Sequence, residues 1–296
     1  MKKTDLRFKL VDIFYIVMML LPIIFCMVLK VTMTPYTEGV SIRGAGIYFT
    51  IPMPIQDFPV TESQVNSLAV LITIFFFCRF ITHGISERIT LKRQHFAELI
   101  IEKIDGLVNE NMGEYFAGYA PFVIAILALS AFSSLISLVG LYPPTSDINV
   151  VGGWAVLVFF LITYYKFKCG PLYYVKGLAE PVAVLFPINL IGEFATPVSM
   201  AFRHYGNVLS GYIISSLIAT ALAGLSAMIL GALPGFLADL PLFGVGIPAV
   251  LSIYFDVFSS CLQAFIFAML TMVYISGGFP IDEYHKRKQR KLAKNN

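Results

Sequence analysis

Residues 178–232 read LAEPVAVLFPINLIGEFATPVSMAFRHYGNVLSGYIISSLIATALAGLSAMILGA, and their only Lys or Arg is Arg203. As a single α-helix these 55 residues would extend roughly 80 Å. The hydrocarbon core of a membrane is only about 30 Å thick. One upright transmembrane helix is therefore excluded. The segment is expected to tilt steeply, to break near Pro187 or Pro197, or to lie partly in the membrane plane.

The rest of the chain makes the membrane its solvent. Of 296 residues, 57% are hydrophobic and 13% charged, with a mean hydropathy of +0.78, whereas a soluble domain carries about 25% charged residues. The apolar residues come in blocks long enough to span. A first block covers 11–29, and the others fall near 64–85, 118–141, 149–167, 178–232 and 247–277. Basic residues precede the first block, but no small-residue cleavage site follows it, so it reads as an uncleaved membrane helix. The four cysteines and four histidines are scattered without a C-x-x-C pair, so neither a disulfide framework nor a metal site is indicated.

Lys and Arg mark the cytoplasmic side. Lys2, Lys3, Arg7 and Lys9 put the N-terminus inside, and loop 31–63, with Arg43 alone, outside. Arg88, Lys92, Arg93 and Lys103 return the chain inside, YPPTSDI lies outside, and Lys166, Lys168 and Lys176 lie inside again. The basic tail 283–296 must also be inside, so 178–232 crosses only once in net terms. Between the second and third blocks, Phe96, Ile100, Ile104 and Leu107 recur at helical spacing. An amphipathic helix over about 90–111 is expected, lying on the inner membrane surface or packed on protein.

Within the long stretch, Asn189, Glu193, Thr196, Arg203, Asn207 and Ser210 share one helical face, and Ser252, Asp256, Ser259 and Gln263 do the same in the last block. An arginine at mid-membrane costs about 2.5–3.5 kcal/mol on insertion scales, so it faces protein or a water-filled crevice. The chain's own possible counter-charges are Glu180, Glu193, Asp239 and Asp256. Two readings stand. Arg203 and an Asp fasten two helices together, or Arg203 is a fixed charge in an ion pathway. Because guanidinium stays protonated, Arg203 cannot itself relay a proton.

Three motifs in order, PPTSDINV (143–150), PVSMAFRHYGN (197–207) and LQAFIFAMLTMVYIS (262–276), resemble subunit a of bacterial F-type ATP synthases. VTESQVNSL and LKRQHFAELIIEKIDGLVNENMGEYFAGYAPF are similar to that family as well, and the likeness covers roughly 60–278. It implies an all-α polytopic membrane protein: upright transmembrane helices, a surface amphipathic helix and a pair of long, strongly tilted membrane helices cupping a rotor. An N-terminal helix and external loop (1–63) then precede a subunit-a-like membrane domain (64–296).

The resemblance also implies a function: a stator subunit with two offset aqueous half-channels that carry H+ or Na+ to and from the carboxylates of a rotating c-ring. A protonated ring carboxyl tolerates lipid while an ionised one needs a nearby guanidinium, and the residue matching Arg203 supplies it. Asn207 and Gln263 match amides near that arginine. Asp147, Ser146 and Asn149 match a polar cluster at the outer channel mouth, for which an Asp cap opening the next helix is the alternative. Glu193 is expected to line a half-channel.

Two positions depart from the common pattern. Tyr212 stands nine residues after the arginine where many members carry Glu, and Asp256 stands seven before the glutamine where many carry His. Asp256 is therefore expected to be the channel acid, and Tyr212 a hydroxyl lining the channel. His204 replaces an apolar residue, and it either packs or titrates. The implied partners are the c-ring, the b subunits of the peripheral stalk, the remaining synthase subunits and lipid, not nucleic acid. No catalytic residue, metal or cofactor is expected in the isolated chain, and the implied site is a bacterial plasma (inner) membrane with both termini cytoplasmic. The rival, a stand-alone secondary transporter or channel with a structural Arg–Asp bridge, would show inverted repeats or paired broken helices, and neither is visible.

Overall fold

A computed structural model describes residues 2–33, 44–54, 56–86, 92–168, 170–179, 183–230, 250–251, 253–281, 284–286 and 289, and all structural statements concern these. Helix α1 (Lys2–Met33) leads to a two-stranded antiparallel hairpin, β1 (Ile47–Ile51) and β2 (Phe58–Thr61). The sequence reading had no strand in this loop. Then follow α2 (Glu62–Thr82), α3 (Lys92–Met112), α4 (Ala120–Leu135), α5 (Ile148–Lys168), α6 (Pro171–Leu178) and α7 (Phe186–Leu230). A π-helical turn, Ile253–Ser259, runs into α8 (Ser260–Gly277). Among the described residues six helical segments are long and apolar enough to cross a membrane: Phe8–Met33, Glu62–Thr82, Glu114–Val139, Ile148–Lys168, Phe186–Ile229 and Ile253–Gly277.

The long apolar stretch is not one helix. Its first residue, Leu178, closes α6, and α7 begins anew at Phe186. Pro187 sits in the first turn of α7, where a missing N–H costs nothing. Pro197 lies inside the helix, yet α7 continues unbroken for 45 residues, roughly 67 Å at 1.5 Å per residue. The segment thus separates before Pro187 rather than at Pro197, and the length conflict with a bilayer remains.

Packing centres on α8. Its buried residues Gln263, Ala264, Phe267, Ala268, Thr271, Met272 and Ile275 recur at three- and four-residue steps, so one stripe faces protein. Small residues on that stripe let helices approach closely, the main device for helix association in lipid. Val123 of α4, Val158 and Ile162 of α5 and Met200 of α7 complete the core. Helix α3 joins it through Val108 and Met112, with Ile104 and Leu107 packed alongside, whereas Phe96 is exposed. The C-terminal half of the amphipathic helix is thus fastened to the bundle by apolar packing, and its first turn by polar contacts, with Gln94 buried and donating to the Ser86 carbonyl at 2.7 Å.

Helix α1 docks on α2 and is pinned at both ends. At one end, Asp12 accepts from Arg93 Nη1 at 2.8 Å and lies 2.8 Å from His83 Nδ1. At the other, Lys30 lies 3.4 Å from Glu62 and donates to the Gly140 carbonyl at 2.7 Å. Gly140 closes the turn after α4 in the left-handed region, φ +75°, a conformation that favours glycine.

Candidate functional site

Helix α7 packs against the π-helical turn and α8. Asn207 donates its side-chain amide to Ser259 Oγ at 3.1 Å. The Asp256 carboxyl group lies beside the Ser137 hydroxyl, which donates to the Ser134 carbonyl at 2.9 Å. Gln263 is buried beneath the same surface. A π-turn inserts one extra residue per turn, and such turns occur often at functional sites. Here it carries Asp256 at its centre. Tyr212 is exposed on α7, edge-on to Tyr142 with ring centroids 6.5 Å apart. Ser252 lies outside the described residues.

Arg203 is exposed on α7. Among the described residues no carboxylate pairs with it: Glu193 is taken by Lys166, and Asp256 faces Ser137. Glu180 and Asp239 lie outside the described residues. The Arg–Asp bridge considered from sequence is therefore not formed by any described carboxylate. One residue on, His204 is fully buried, 3.3 Å from Ser130 Oγ and edge-on to the rings of Trp154 and Phe267. Its surroundings are those of a packing residue, although its Nδ1 has no partner.

The 143–150 motif is built as a cap. Asp147 Oδ1 accepts from the Asn149 backbone N–H at 2.9 Å and from its side-chain amide at 3.1 Å, satisfying orphan donors at the start of α5. Ser146 is buried with its hydroxyl unpartnered, and its carbonyl accepts from Tyr142 OH at 2.9 Å. Burial, then the charge of Asp147, pushes the Tyr142 phenol up to about 12, so it remains a donor at neutral pH.

Several polar neighbours escaped the sequence reading. Ser130, Ser134 and Ser137 form a hydroxyl stripe on α4 and its extension, and their spacing by four and three residues is the signal that the sequence carries for it. Ser134 bonds Thr145 at 2.9 Å, and both are buried. Glu62 and Asn66 at the head of α2 hold the Tyr142 backbone, Glu62 accepting its N–H at 3.3 Å and Asn66 donating to its carbonyl at 2.8 Å. Lys166 and Tyr174 both donate to Glu193. These contacts join residues far apart in sequence, where periodicity is blind.

The long apolar helix α7 thus carries an exposed guanidinium and, one turn on, an amide bonded to the π-helical turn, which itself holds an acid. The family described as ATP synthase A chain matches residues 65–276, and the chain belongs to it. It is 28% identical over 275 residues to "ATP synthase subunit a, sodium ion specific" of Propionigenium modestum, covering 82% of this chain and 88% of that one. It is 35% identical over 194 residues to ATP synthase subunit a of Priestia megaterium, covering 62% and 77%. For the Listeria welshimeri subunit a the identity is 32% over 209 residues, covering 66% and 82%. The chain is thus a multi-pass component of the F1Fo complex, the stator part of its membrane sector through which ions move.

Proposed function

We propose that ions cross this chain in two offset aqueous half-channels that meet at a c-ring carboxylate facing Arg203. The observation that carries the reading is Arg203 itself, exposed amid apolar side chains with no described carboxylate beside it. Its counter-charge comes from another chain. On the outer side the path runs past Asp147, Ser146 and Asn149 to Asp256, Tyr212, Asn207 and Gln263, with Asp256 as the acid that loads the ring. On the inner side it leaves along Glu193. Lys166, Lys168 and Lys176 mark that side as cytoplasmic, and both termini share it in a bacterial inner membrane.

The b subunits of the peripheral stalk hold the chain still while the ring turns against it. Helices α7 and α8 lie strongly tilted, a reading supported by the excess of α7 over the bilayer thickness. Residues 1–63 form an added helix and loop ahead of the membrane domain 64–296, a division supported by the family match beginning at 65. The ion is H+ or Na+. The name of the Propionigenium relative makes Na+ the first to test, by the Na+ dependence of ATP hydrolysis in the coupled complex.

The deciding experiment compares ion-driven ATP synthesis in vesicles holding the whole complex, unmodified and Arg203→Ala, with passive leak followed in parallel. Lost synthesis in an assembled complex, with raised leak, is expected. Retained coupling would sink the electrostatic gate.

A further inference from the structure

A cavity of about 980 Å³ lies between α5, α6, the first turns of α7 and the end of α8. Its walls are mostly apolar, but Glu193 presents a carboxylate to it with both oxygens engaged. Lys166 Nζ donates to Oε1 and Tyr174 OH to Oε2. The Lys166 stem lies against Gly278, where a Cβ would come within 3.2 Å of its Cε. Pro197, one turn past Glu193, has no N–H to give, so the Glu193 backbone carbonyl lacks its helical donor and adds an acceptor here. Glu193 stands ten residues before Arg203, roughly 15 Å along the helix axis.

The geometry points to Lys166 as a tethered cation that occupies the inner exit of the pathway and, with Tyr174, hastens release of the transported ion. This inference rests on the assignment of the Glu193 crevice to that pathway. An ion leaving the neighbourhood of Arg203 meets a carboxylate already neutralised by an ammonium on the same chain. It binds only by displacing that ammonium, which cannot diffuse away and returns at once. The exit therefore holds its ion weakly. The titratable groups facing Glu193 are Lys166 from α5, Tyr174 from α6 and Tyr274 from the end of α8. Burial, then the hydrogen bond to Glu193, raises the Tyr174 phenol well above its ordinary value, so the hydroxyl stays a donor.

The test uses the complete complex in lipid vesicles with its soluble sector outward. ATP synthesis under an imposed gradient is followed while H+ or Na+ is raised separately on the outer face of the vesicle. Product-side inhibition is expected at a cation concentration lower by about tenfold or more in Lys166→Gln, the effect an opposite charge within reach has on ion binding to a carboxylate. Lys166→Arg is expected to restore the unmodified curve, and Tyr174→Phe to shift it the same way by less. Unchanged inhibition in Lys166→Gln overturns the proposal. Should that variant not assemble, unchanged inhibition in Tyr174→Phe does so instead. Arg203→Ala is run alongside: coupling retained there defeats the pathway reading itself, whereas coupling lost there with unshifted Lys166 and Tyr174 curves defeats only the exit role.

Discussion

Arg203 and His204 are neighbours in sequence and point about 100° apart around α7, and their surroundings differ accordingly. Arg203 is exposed, while His204 is wedged among Ser130, Trp154 and Phe267, which come from α4, α5 and α8. The buried residue fixes the rotation of α7 and so the direction in which its neighbour points. If His204 only packs, Leu is a near-isosteric replacement that also removes an unpartnered Nδ1. His204→Leu is then expected to change stability by less than about 1.5 kcal/mol and to keep ATP synthesis coupled. The melting midpoint of the purified complex and its synthesis rate check this, and lost coupling in a stable complex would place the imidazole in the ion path. Asp256 has the opposite expectation. As the proposed loading acid it has no substitute in its amide, so Asp256→Asn should slow coupled synthesis by about a hundredfold, the scale of a lost positioned acid–base group. An assembled Asp256→Asn complex at full rate would remove it from the pathway.

The elements show which signals the sequence carried and which it could not. Apolar blocks located all six membrane-length segments, because in lipid the hydrocarbon thickness dictates helix length. The two polar stripes, Arg203 with Asn207 on one helix and Gln263 on the next, were legible for the same reason, since a polar residue in such a helix stands out against its background. The separation of α6 from α7 was legible as one of two choices, a break near Pro187 or near Pro197, because the sequence does not say which proline starts a helix and which sits inside one. The π-turn at 253–259 was not legible, being a backbone register rather than a residue pattern. Asp147 was read two ways from sequence, and hydrogen bonds to Asn149 now demonstrate the capping geometry. The pins on α1 were invisible too, since Asp12 meets Arg93 across 81 positions. They yield an element-scale expectation. Asp12→Ala leaves Arg93 and His83 without their shared acceptor, at a cost of about 1–3 kcal/mol for half-buried donors left unmade. Limited proteolysis should then cut α1 faster while the α4–α8 core keeps its resistance. Equal protection of α1 in both proteins would show that apolar packing alone holds it.

At the scale of the whole molecule, the helices are covered unequally. Of the most apolar window of α7 only 6% is buried within the chain, against 44% for the segment ending in α8. Phe194, Val198 and Phe202 are all more than half exposed just before Arg203, so α7 offers an apolar surface broken by one permanent charge. Lipid covers the apolar part well, but not the guanidinium, whose insertion costs about 2.5–3.5 kcal/mol at mid-membrane. Under the proposed function, a ring carboxylate would remove that cost by supplying the missing charge. On that proposal Arg203 is a liability in the isolated chain and an asset in the assembled synthase, and the two roles can be separated. For the isolated chain in bilayers, Arg203→Leu is expected to raise resistance to unfolding by up to about 3 kcal/mol, the insertion cost of the charge. In the assembled complex the same substitution should abolish ion-driven synthesis. Unfolding of the isolated chain in bilayers, followed by tryptophan fluorescence of Trp154, measures the first, and vesicle ATP synthesis the second. If Arg203→Leu weakens the isolated chain, Arg203 has a stabilising partner within this chain after all, and the view of it as a charge awaiting an external carboxylate fails.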